Sequence, residues 1–224
     1  MKASPRRAFL SEAWPLWALL AIAGILFVFV VIADAVAEGE TASLDRKIIL
    51  AFRVASDISD PIGPPWLEEA VRDITALGSV VVVGLFSVLF GVYLLLQKRR
   101  REALILLVSV AGGLALNDLL KFVFDRPRPD FLPHAAAVFT TSFPSGHAAL
   151  SSVAYLTIAA LLARNAPSAA LRLYVMTAAV LLTLCIGVSR IYLGLHYPSD
   201  VLAGWCVGSA WALICWMGAG RLRK

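Results

Sequence analysis

Three groups of residues have types and spacings that could do chemistry. His196 precedes Asp200 by four positions, across Tyr197-Pro198-Ser199. That spacing lets a carboxylate accept a hydrogen bond from one imidazole nitrogen and leaves the other nitrogen free to attack. Pro144-Ser145-Gly146-His147 opens an apolar run. Ser145 is expected to cap a helix there, and Gly146 to permit close approach of a ligand, so that the first N–H groups of the helix face an anion. Lys121, Arg128 and Arg190 would add fixed positive charge, and a guanidinium can fork two donors onto one phosphate. The cations alone select an anion and not a reaction.

The histidines narrow the reaction to phosphoryl transfer, which needs an in-line nucleophile on one side and a proton donor to the leaving oxygen on the other. His196 is the expected nucleophile, with Asp200 behind it. His147 is the expected acid. Positive side chains and backbone donors can neutralise the equatorial oxygens, so no metal or other cofactor is expected.

The elements that must position these groups are membrane helices. Of the 224 residues, 60% are hydrophobic and 16% charged, more apolar than a soluble domain. Uncharged runs at Trp14–Ala33 and Ile74–Leu96 are long enough to cross a hydrocarbon core of ~30 Å. Further spans are expected at Ala103–Asn117, Ala148–Ala163, Leu173–Ser189 and Val201–Gly220, giving an all-α, six-helix integral membrane bundle. Residues 1–224 read as one domain, with the motif core at 121–200.

Charge orients it. The short ends 1–13 and 221–224 and the segments 97–102 and 164–172 hold 12 of the 20 Lys and Arg but only two acids, Glu12 and Glu102. The positive-inside rule therefore puts both termini in the cytoplasm and the site at the outer ends of helices three to six. The net charge of +5 reflects this topology, and no nucleic-acid partner is expected. Lys2, Arg6 and Arg7 followed by an apolar stretch imitate a secretory signal, but the run exceeds the ~7–15 residues of a signal core, so an uncleaved anchor is expected.

Lys121 with Arg128-Pro129, Pro144-Ser145-Gly146-His147, and Ser189-Arg190 with His196 and Asp200 together resemble the three-part signature of the type 2 phosphatidic acid phosphatase superfamily. The resemblance implies a six-helix membrane fold, a phosphohistidine intermediate, no metal requirement, and phosphatidic acid, phosphatidylglycerol phosphate or undecaprenyl diphosphate as substrate. The modest length and short ends are similar to phosphatidylglycerophosphatase B-like members from bacterial inner membranes. Two other functions fit part of the pattern: a vanadium-dependent haloperoxidase, which has a phosphate-shaped pocket, and an anion or lipid transporter, in which intramembrane charge is natural.

The remaining polar residues have plainer expected roles. Arg126 and His134 match no motif position; Arg126 is expected to pair with Asp125 or Asp130, and His134 to be a solvated loop residue. Asp118, one turn before Lys121, either neutralises it or marks the helix leaving the membrane. Tyr192 and Tyr197 fit an aromatic belt, Trp205, Trp211 and Trp216 fit packing or lipid-facing positions, and the three cysteines fit buried apolar sites. Leu44, Ile48, Ile49 and Phe52 predict a short interfacial helix with Asp45, Arg46, Lys47 and Arg53 on its polar side and Trp66 as an anchor.

Overall fold

The computed structural model describes the backbone of residues 5–132 and 140–221 and the side chains of 14–132 and 140–219. His134 and the basic ends lie outside the described side chains. The described chain is almost entirely helical: α1 (Pro5–Ala37), α2 (Ala42–Ala51), α3 (Pro65–Ala76), α4 (Val80–Leu96), α5 (Arg100–Phe124), α6 (Gly146–Arg164), α7 (Ala169–Tyr192) and α8 (Pro198–Arg221). A two-stranded antiparallel hairpin, β1 (Arg53–Val54) and β2 (Asp57–Pro61), lies between α2 and α3 and was not foreseen. Five helices are long and apolar enough to cross a membrane, or up to six if the bent pair α3–α4 counts as one span.

That pair corrects the continuous span expected from Ile74. The helix breaks by 52° between Ala76 and Val80. Ser79 caps the new helix by accepting from the Val82 N–H at 3.2 Å, and Tyr155 Oη of α6 donates to the freed Leu77 carbonyl at 2.6 Å. The break has steric use, because a Cβ on Gly78 would collide with Ile186 of α7 and lie 3.2 Å from the His147 ring. Only a glycine lets the bend approach so closely.

α6 is the central helix. Of its membrane window 61% is buried, against 11% for α1. Its small residues explain this position: Ala148, Ala149, Ser151, Ser152 and Ala154 are all buried. α8 meets them with Gly204 and Gly208, a small-xxx-small spacing that allows backbones to touch where lipid supplies no hydrophobic drive. A Cβ on Gly204 would sit 2.6 Å from the Ser145 carbonyl oxygen, and one on Gly208 would collide with that of Ala149. Outward faces of α1, α4, α5 and α7 present exposed Leu, Val and Phe, as a lipid solvent requires. Cys185, expected to be buried, is exposed on α7, of whose membrane window only 22% is buried.

α2 departs from an interfacial helix in one respect. Asp45, expected in water, is 3% exposed, and Ile49 on the next turn is fully buried. Arg53 is buried as well, its Nη2 donating to the Tyr192 carbonyl at 2.9 Å. Trp66 is exposed, as an anchor would be.

Gly208→Ala should lower thermal stability in detergent by about 1–3 kcal/mol, because the methyl meets backbone and not a movable side chain. Gly24→Ala, where nothing lies within 4 Å, should not lower the melting temperature.

Candidate active site

Four helix ends meet at one end of the bundle. On α5 the buried residues Ser109, Gly113 and Asn117 recur at four-residue spacing, and the next member of that face is Lys121. Lys121 Nζ donates to the Thr141 carbonyl, which fixes the incoming segment 140–145 against α5. A Cβ on Gly146, at the start of α6, would lie 3.3 Å from Asn117 and 3.8 Å from Lys121. The α6 N-terminus thus stands beside the lysine, as the motif spacing predicts. Asp118 is exposed and acts on Lys121 through its charge.

Ser145 differs from expectation. Its side chain makes no cap bond, and its buried Oγ has no partner among the described residues. The backbone is held instead, with the Ser145 N–H donating to the Asp200 carbonyl at 2.9 Å. The N–H groups opening α6 therefore have no side-chain cap and remain available to a ligand.

His196 lies in the turn between α7 and α8 and is 1% exposed. Arg128 Nη1 stands 3.1 Å from its Nε2. A guanidinium can only donate, so Nε2 carries the lone pair and the proton sits on Nδ1. Nδ1 faces Asp200 Oδ2 at 3.5 Å and Ser142 Oγ at 3.4 Å, and Ser142 in turn donates to the same carboxylate oxygen. The histidine–carboxylate pairing expected from the four-residue spacing is present, with a hydroxyl bridging it. Burial holds the His196 pKa below its ordinary value, and the cations Arg128 and Arg190 add to this while Asp200 opposes it. The ring is a neutral base at neutral pH.

Arg128 also donates from Nη1 to the Leu195 carbonyl at 2.7 Å, from Nε to the Thr140 carbonyl at 2.8 Å and from Nη2 to Thr140 Oγ1 at 3.0 Å. Burial lowers its pKa without threatening its charge. Arg190, in the last turn of α7, donates from Nη1 to Thr75 Oγ1 at 3.2 Å, and its buried Nε has no partner among the described residues. His147, against Gly78, lies within the electrostatic reach of Arg190, His196, Arg128 and Lys121. All eight residues singled out by type and spacing thus share one region.

Three partners were not legible. Ser142 belongs to no motif, Thr75 comes from the bent helix, and Arg126 was misassigned. Arg126 does not pair with Asp125 or Asp130. Its Nη1 donates to Asp200 Oδ1 at 2.6 Å and to Ser199 Oγ at 2.8 Å, and its Nη2 reaches Asp45 Oδ2 at 2.9 Å. Asp45 closes the network by accepting from the Ser199 N–H at 3.0 Å and from Ser199 Oγ at 2.6 Å. Two buried carboxylates from α2 and α8 need a cation between them, and Arg126 pairs with both. Tyr197 lies under that guanidinium at 4.2 Å, while Tyr192 is buried and donates to the Ile62 carbonyl at 2.8 Å. Neither forms a belt, because α2 and the hairpin cover this turn. Trp205 and Trp211 pack inside as expected, donating to the Thr183 and Ser109 carbonyls. No group of three or more His, Cys, Asp or Glu among the described residues is placed to hold a metal ion.

Residues 102–224 match the PAP2 superfamily model. The chain belongs to the PAP2 superfamily. Phosphatidylglycerophosphatase B of Bacillus subtilis is 32% identical to this PAP2 chain over 184 residues, covering 80% of it and 85% of the relative. The decaprenylphosphoryl-5-phosphoribose phosphatase of Mycobacterium tuberculosis is 34% identical over 163 residues, 71% of this chain and 85% of that one. The crystal structure of a transmembrane PAP2-type phosphatidylglycerolphosphate phosphatase from Bacillus subtilis superposes with a TM-score of 0.82 at 27% identity, over 91% of this chain and 98% of that chain.

Arg126→Gln should cost about 3–5 kcal/mol of stability, because it strands Asp45 and Asp200 without their cation. Arg126→Lys should recover most of that stability but less of kcat, since an ammonium cannot hold both carboxylates in the fork geometry. Thermal unfolding and phosphate release on the two variants separate the effects.

Proposed function

We propose that this PAP2 member hydrolyses a phosphate monoester or diphosphate of a lipid through a phosphohistidine on His196. The chain is a membrane lipid phosphatase, as its superfamily and its named relatives are. The observation that carries the mechanism is the 3.1 Å contact of Arg128 Nη1 with His196 Nε2, which calls for the electron pair on Nε2, in a region ringed by Lys121 and Arg190.

In the first step Arg128 transfers its Nη1 donor from Nε2 to an oxygen of the incoming phosphate. Lys121, Arg190, Ser145 Oγ and the first N–H groups of α6, beginning at Gly146, bind the other non-bridging oxygens. Nε2 attacks phosphorus in line, the P–O bond to the lipid breaks, and His147 gives its proton to the departing oxygen. Asp200 accepts from Nδ1–H and stabilises the positive charge that develops on the ring. In the second step His147 takes a proton from water, the hydroxide oxygen bonds to phosphorus, and the P–N bond breaks to regenerate neutral His196. None of these roles needs a metal.

An apolar cavity of 520 Å³ between α4 and α5 supports a lipid substrate. It begins at Val80, two residues from the Gly78 that packs on His147, and runs past Gly84 and Gly91 towards Arg100. A lipid with its phosphate at the histidines has a dry path there for a chain. Phosphatidylglycerol phosphate heads the substrate panel because the 32% identical relative and the superposed crystal structure are named for it, followed by phosphatidic acid and undecaprenyl diphosphate. We read residues 1–224 as one domain with six spans, α3 and α4 forming one of them. The basic bias of the sequence segments 1–13, 97–102, 164–172 and 221–224 supports termini in the cytoplasm and a site at the periplasmic face of a bacterial inner membrane.

Purified protein given a ³²P-labelled lipid phosphate with chelator present should release phosphate, and a rapid alkaline quench should capture base-stable, acid-labile label on the enzyme. His196→Ala should abolish that label, whereas His147→Ala should slow turnover most for poor leaving groups. Label retained in His196→Ala, or lipid transport with no phosphate release, would overturn the assignment. Gly91→Leu, which grows a side chain into open space in the cavity, should raise KM for long-chain lipid phosphates and leave a short-chain one unaffected.

A further inference from the structure

A second apolar cavity, of 470 Å³, lies among α5, α6, α7 and α8. It falls within the ~300–1,000 Å³ range of small-ligand sites. Ile105, Leu156, Ala160, Met176 and Trp216 line it, and two exposed arginines, Arg164 at the end of α6 and Arg172 near the start of α7, stand on its rim. Thr157 also lines it, buried, with an Oγ1 that has no partner among the described residues.

We infer that this cavity holds one acyl chain of an anionic phospholipid whose phosphate sits against Arg164 and Arg172. The division of chemistry fits one amphiphile: a long apolar chamber for a tail, two guanidinium groups at its mouth for a headgroup, and one hydroxyl in the wall that can donate to an ester carbonyl. Arg172 is already turned towards the short connection between α6 and α7, donating from Nη1 to the Ala166 carbonyl at 3.3 Å. That bond holds Arg172 at the connection that Arg164 opens, so both lining arginines stand at the same end of the cavity.

The lipid is not a substrate in its reactive position. Seventeen residues of α6 separate His147 from Arg164, about 25 Å at 1.5 Å per residue. That approaches the ~30 Å thickness of a hydrocarbon core, so a phosphate at Arg164 belongs to the leaflet facing away from the histidines. The cavity wall is shared by the far ends of the same helices that carry Lys121, His147, Arg190 and Asp200. A bound chain fills the space between them and makes the protein's stability depend on the lipid of that leaflet.

Native mass spectrometry of the detergent-purified full chain tests this with phosphatidylglycerol and phosphatidylcholine of identical chains, each with and without excess inorganic phosphate to occupy the catalytic region. The wild type should retain one phosphatidylglycerol with a preference of about tenfold over phosphatidylcholine, unaffected by the phosphate. Arg164→Gln with Arg172→Gln should erase the preference, and Ala160→Phe should reduce retention of both lipids. All variants should keep hydrolysing a short-chain substrate, which checks their folding. The exposed arginine pair carries the test should Ala160→Phe not fold. Equal retention of the two lipids by the wild type, a preference that survives in the double variant, or retention abolished by phosphate would overturn the site.

Discussion

The carboxylate of Asp200 is the point on which this structure depends. It is fully buried at the start of α8, and an isolated charge there would be unstable by several kcal/mol. The protein satisfies it from every side. Arg126 takes one oxygen; Ser142, the Tyr197 N–H at 2.9 Å and the His196 ring take the other; and the first turn of α8 adds its favourable dipole. Even the Asp200 carbonyl is used, accepting from the Ser145 N–H that precedes α6. One residue thereby joins His196, the α6 N-terminus, the segment 140–145 and, through Arg126 and Asp45, helix α2.

The arrangement explains why a soluble-looking patch of polar side chains can persist at the end of a membrane bundle. Each charge is compensated by a neighbour from another element, so removing any one leaves a buried partner unsatisfied, which is a larger penalty than the net gain of the pair itself. Arg190 and the α6 N-terminus are the exception. Arg190 Nε has no partner among the described residues, and the α6 N–H groups have no side-chain cap. Donors left unmet in a low-dielectric site are prepared for an anion and need little reorganisation when charge develops there.

The helix packing beneath serves the same end. Gly204 and Gly208 bring α8 against α6 at backbone distance, and the break at Gly78 lets α3–α4 touch the His147 ring. Phe29, Phe124 and Phe143 form an aromatic cluster, with centroids 4.8–6.4 Å apart, that ties α1 to the end of α5 and to the segment leading into α6. The groups at the histidines are therefore held by packed helices, which give a more constant geometry than free loops.

What the sequence determined by itself were the properties set locally or by repetition: the apolar runs, the basic bias of one set of connections, and residues whose spacing along one helix or turn fixes their relation. Lys121 falls on the buried face of α5 because 3.6-residue periodicity carries it there, and His196 meets Asp200 because three intervening residues keep the turn before α8 within reach of that helix's first turn. The tertiary structure alone decided the contacts between elements distant in sequence. Asp45 lies 81 residues from Arg126, and Ser142 lies 58 from Asp200, so neither spacing carries a signal. A charged Asp45 beside Arg46 and Lys47 looks like a solvated helix face until α2 folds onto α8. The break at Gly78 was hidden for the same reason: an apolar run reads as one span, and the Tyr155 hydroxyl and His147 ring of α6 with Ile186 of α7 give the bend its place.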